Sequence, residues 1–249
     1  MILHLSPDAP LVARLAADAA LVGHIGGGVA GIAAGYVTVA ARKGGPIHRA
    51  AGKAFVVAMG VAYAIGAVVA PMIHQPGNSF GGLFAIYLIL TGWMTIRRPP
   101  SQVGGLERGA MLAAVGSGCI LIAMALVSVA DAGILGGVPW PVFVILAAIC
   151  ALSARSDLSV IRRGGLSGPP RLRRHIWRMS AAFFFGTGSL FLGQPKVFPP
   201  ALRFSPPLIA LAFAPLVIMA FWLIRYRNPR PAPASRPAAR PAPAQEALT

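Results

Sequence analysis

Charge is scarce in this chain. Only 11% of its 249 residues are Asp, Glu, Lys or Arg, against about 25% in an ordinary soluble domain, so it cannot clothe itself in a polar surface. Carboxylates are scarcer still: Asp8, Asp18, Glu107, Asp131, Asp157 and Glu246 are the full set. None falls in the middle of an apolar run, which argues against a carboxylate proton relay or a carboxylate-built cation site within a membrane. The chain has no H-E-x-x-H, Ser-His-Asp or phosphate-loop constellation, which argues against an intramembrane protease and a nucleotide-driven pump. No catalytic residue and no metal-ion site is assigned. Its two cysteines, Cys119 and Cys150, lie within apolar runs, where a thiol acts as a small hydrophobe. The N-terminus lacks a basic region and a small-residue cleavage site ahead of the first apolar run, so that run is expected to insert and remain.

What the chain has instead is apolar length. Hydrophobic residues make up 56%, and seven segments approach the roughly 20 residues needed to cross a hydrocarbon layer. They lie at about 19–41, 54–73, 80–96, 109–130, 138–154, 175–193 and 207–224. The pattern predicts an all-α polytopic transmembrane bundle, with the short third and fifth spans leaning on interfacial Trp93 and Trp140. Lys and Arg number 22. Nineteen fall in the segments 42–53, 97–108 and 155–174, at Arg178 and after residue 224, all on one side of a seven-span path, against Arg14, Lys196 and Arg203 on the other. Positive charge marks the cytoplasmic side, so the N-terminus is expected outside and the C-terminus inside.

The formal net charge of +16 would suggest nucleic acid in a soluble protein. Here the cations sit in short segments between apolar runs, so the expected partners are the bilayer and its anionic headgroups, with no nucleic acid. The chain therefore divides into a short extracytoplasmic segment (1–18), a seven-helix membrane domain (19–224) and a basic tail (225–249). From residue 228 that tail is mostly Pro, Ala and Arg and is expected to be disordered.

Few residues stand out from this background. Gly23, Gly27, Gly31 and Gly35 form three consecutive G-x-x-x-G steps on the first span, and His24 lies in the same stripe. Such a face packs against another helix or seats a flat cofactor with His24 as ligand. His74 ends the second span at the outer face, while His48 and His175 begin the second and sixth spans at the inner face. Two histidine pairs at two depths, His24 with His74 and His48 with His175, would suit haem b held between helices. Histidines near helix ends are also common without any cofactor. At the inner ends Arg42, Lys43, Arg49, Lys53 and Arg178 form a cationic cluster suited to a phosphate, a carboxylate or lipid headgroups.

Two stretches carry a resemblance: residues 24–59, with His24, RKGG (Arg42 to Gly45) and HR-x-x-G (His48, Arg49, Gly52), and residues 175–199, with H-x-W-R-M (His175 to Met179) and FLGQ (Phe191 to Gln194). In these motifs the chain resembles a family of uncharacterised bacterial multi-pass membrane proteins. The resemblance implies a bacterial inner-membrane location and singles out His24, His48, Arg49, His175, Arg178 and Gln194. It implies no reaction. Three functions remain open: a non-enzymatic structural, assembly or sensing component, a haem b electron-transfer protein, and a carrier for a small anion or lipid-like molecule.

Overall fold

A computed structural model describes residues 9–73, 76–100, 102–130, 133–135 and 138–227. Among these residues the chain forms seven α-helices: α1 (Leu11–Ala40), α2 (Pro46–Val69), α3 (Pro76–Arg97), α4 (Gly105–Ala130), α5 (Trp140–Arg162), α6 (Gly168–Phe191) and α7 (Pro206–Arg225). Short 3-10 turns follow α2 and α6, and a two-residue hairpin, β1 (Ile134–Leu135) with β2 (Val138–Pro139), joins α4 to α5. His74, most of the basic tail and residues 1–8 lie outside the described residues.

Six helices, all but α6, are long and apolar enough to cross a membrane. Their outward faces carry bare aliphatic side chains such as Val57, Leu126 and Val217, each about two-thirds exposed. Apolar surface on that scale suits a multi-pass membrane protein, because water would not tolerate it.

The bounds differ from the sequence expectation in two informative places. Helix α1 begins at Leu11, within the stretch assigned to the N-terminal segment. Helix α5 continues to Arg162 and α6 starts at Gly168, so most of the basic segment 155–174 is helix rather than loop. Charged residues there mask a helical pattern whose partners are distant in sequence.

Successive helices run up and down, with α2 beside α1 and α3, α6 beside α3 and α7, and α4 paired with α5. The C-terminal ends of α1, α3, α5 and α7 thus gather with the N-terminal ends of α2, α4 and α6. Most of the cations lie at this basic end. The core is built from Met59 on α2, Leu88 and Ile89 on α3, and Ala182 and Phe183 on α6, all at most 2% exposed. Phe183 meets the edges of Tyr36 and Phe55, with centroids 5.0 and 5.5 Å away.

The glycine stripe of α1 is a packing face. A methyl added at Gly27 would lie 2.9 Å from the Ala58 carbonyl, one at Gly31 would enter Met59, and one at Gly35 would enter the Phe183 ring. Glycine here lets α1 approach α2 and α6 at backbone distance. Helix α7 contains Pro215, which cannot donate to the Leu211 carbonyl four residues earlier. The Tyr36 hydroxyl donates to that carbonyl instead, at 2.7 Å.

Candidate functional site

The RKGG motif builds the α1–α2 turn. Gly44 adopts a left-handed φ of 74°, a conformation that favours glycine. The Lys43 ammonium reaches back to the carbonyls of Thr38, Val39 and Ala41, which α1 leaves without helical donors. Arg49 donates to the Gly44 carbonyl at 2.8 Å.

From this turn the site opens inward. A cavity of 520 Å³ lies at the basic end between α1, α2, α3, α6 and α7, within the usual range of about 300 to 1,000 Å³ for small-molecule sites. Phe55, Trp93, Phe183, Ile218 and Trp222 supply apolar wall, and Lys43, Arg49, Lys53 and Arg97 line it as well. The Arg97 guanidinium stacks 5.3 Å from the Trp93 ring centre and the Lys43 ammonium lies 5.6 Å from that of Trp222. None of these four cations has a carboxylate partner among the described residues, where the ion pairs are Arg98–Glu107, Arg174–Asp157 and Arg178–Asp157. Burial lowers the pKa of the Lys43 ammonium below its ordinary value of 10.5, as expected for a cation partly withdrawn from water without a counter-charge.

His48 and His175 both line this cavity. His48 Nδ1 lies 3.0 Å from the Thr38 carbonyl, and His175 Nδ1 lies 3.0 Å from the Gly92 carbonyl. A carbonyl can only accept, so each Nδ1 carries a proton, and in the neutral tautomer that this selects the lone pair lies on Nε2. Neither Nε2 has a hydrogen-bond partner among the described residues.

The remaining sequence candidates lie elsewhere. His24 sits between α1 and α2, its Nδ1 2.8 Å from the Ala62 carbonyl and its ring against Gly66. Its expected partner His74 is outside the described residues. Arg42 is exposed in the turn and Gln194 is exposed near the opposite end.

Arg178 does not line the cavity with the other cations. It is wholly buried and belongs to a network that the sequence did not reveal. Asp157 on α5 accepts from Arg178 at 2.8 Å, from Arg174, and from the Tyr87 hydroxyl at 2.5 Å. Arg178 also donates to the Ser153 carbonyl at 3.0 Å and to the Thr91 hydroxyl, while Arg174 donates to Thr95. Arg171 closes the exposed end of α3 through the carbonyls of Thr95, Ile96 and Arg98. These contacts rivet α3, α5 and α6 together. A legible signal existed: Arg171, Arg174 and Arg178 recur at helical spacing, as do Ser153 and Asp157. Searches against protein families, curated proteins and solved structures find no match to the chain.

Proposed function

We propose that this protein is a seven-span membrane protein of the bacterial inner membrane that binds an anionic amphiphile in the cavity at its cytoplasmic end. The carrying observation is an apolar cavity bordered by four cations that have no carboxylate partner among the described residues. An apolar ligand body removes wall surface from water, and an acidic head supplies the missing counter-charge. The seventh span is α6, whose 24 residues reach about 36 Å at 1.5 Å per residue. Its arginines are compatible with a membrane because Asp157 and the carbonyls of α3 engage them. The excess of Lys and Arg at the cavity end supports a cytoplasmic placement, with the N-terminus outside. Polar residues away from the cavity, His24 among them, lock helices to one another.

Laurate and dodecanol share a chain and differ in charge, so their effects on thermal unfolding of the detergent-purified protein separate head from tail. Laurate should stabilise the protein well above dodecanol, and the difference should shrink in Lys53→Gln. Equal effects of the two ligands would refute the reading.

A further inference from the structure

We infer that the amphiphile is haem, held by His48 from α2 and His175 from α6. This deepens the anionic-amphiphile reading and rests on it. An imidazole binds iron through a nitrogen that bears a lone pair, and the second ring nitrogen usually donates to a carbonyl or carboxylate that fixes tautomer and orientation. Both histidines make that second contact. Their Nδ1 atoms donate to the carbonyls of Thr38 and Gly92, so Nε2 is the coordinating atom of each, and both rings line one cavity from different helices.

The ligand supply discriminates between metal forms. Among the described residues no group of three or more His, Cys, Asp or Glu side chains is placed to hold a metal ion, so a bare transition-metal ion would find two imidazoles and little else. Haem iron brings four equatorial nitrogens with its macrocycle and needs only axial ligands from the protein. The rest of the cavity fits the same molecule. Phe55, Phe183 and Trp93 offer apolar wall to a flat ring, and Lys43, Arg49, Lys53 and Arg97 offer charge to two propionates. Gly52, one helical turn after His48, lines the cavity, and a methyl there would meet only Thr38, at 3.8 Å. No side chain therefore projects into the cavity from this point of α2.

The test is the absorption spectrum of the full chain, purified in detergent after expression with added haem precursor and again after titration with haemin. A low-spin spectrum at about one haem per chain is expected. Replacing either axial ligand, in His48→Ala or His175→Ala, should convert the iron to high spin or release the haem, and free imidazole should restore the low-spin bands. His24→Ala should leave them unchanged. Where an alanine variant does not fold, electron paramagnetic resonance of the wild-type haem complex decides, with a bis-imidazole low-spin signal expected. A colourless protein after haemin titration, a high-spin wild type, or a spectrum indifferent to both substitutions would overturn the inference. A colourless protein that laurate still stabilises removes haem and leaves the amphiphile reading standing. A colourless protein indifferent to laurate removes both.

Discussion

The guanidinium of Arg178 lies 2.8 Å from the carboxylate of Asp157, and neither residue exposes any surface. The pair allows α6, the one helix that is not apolar enough to cross a membrane by composition, to sit within the bundle. The network is short of negative charge, since Asp157 serves Arg174 and Arg178 together. Asp157→Asn leaves two buried guanidiniums unpaired and should cost about 3 to 5 kcal/mol. Arg178→Met leaves the Asp157–Arg174 pair neutral and should cost less. Thermal unfolding in detergent checks the order, and a milder Asp157→Asn would contradict it.

Tyr36 and Pro215 should be energetically coupled. Tyr36→Phe removes the donor to the Leu211 carbonyl and should cost about 1 kcal/mol. With Pro215→Ala already in place, the restored backbone N–H serves that carbonyl and the Tyr36 change should cost little. A double-mutant cycle measures the coupling, and additive losses would mean that the hydroxyl is not compensating for the proline.

The glycines of α1 should divide by what lies opposite them. In Gly35→Ala the new methyl sits 2.5 to 2.9 Å from three atoms of the Phe183 ring, and the overpacking should cost about 1 to 3 kcal/mol. Nothing lies within 4 Å at Gly26, so Gly26→Ala should be neutral or raise stability by up to about 1 kcal/mol through helix propensity. Equal melting temperatures for the two variants would argue against the packing role of the stripe.

Lys43 gives the site a pH dependence. Its ammonium loses its proton at a lower pH than an ordinary lysine, so its attraction for an anion weakens as pH rises through that lowered value, before 10.5 is reached. Without ligand the sign reverses for stability. The unfolded chain holds this proton more tightly, so Lys43's own penalty on folding eases over the same window. Laurate affinity should therefore fall below pH 10.5 in the wild type, and Lys43→Arg, which keeps its charge, should remove that fall. Isothermal titration across pH 7 to 10 reads both.

The number of helices was legible from apolar length, and His48 and His175, placed at the starts of two spans, line one cavity. Arg178 was visible but misleading, because a cation one turn into a span reads as a headgroup ligand when its carboxylate is out of view. Asp157 escaped notice through its neighbours: Arg155, Arg162 and Arg163 gave the segment the character of a loop, while its partners are 17 and 21 residues away on α6. Tyr36 and Leu211, 175 residues apart, left no local pattern. Arg97 counted only as a loop charge, since its place beside the cavity depends on how α3 packs.

The most direct measurement is photolabelling with a diazirine-bearing fatty acid in membranes, followed by mass spectrometric mapping of the labelled residues. The account predicts labels on the cavity wall, at Phe183, Ile218 and Trp222, and their loss on competition with excess laurate. Labels confined to lipid-facing positions such as Val57, Leu126 and Val217, unaffected by competition, would contradict it.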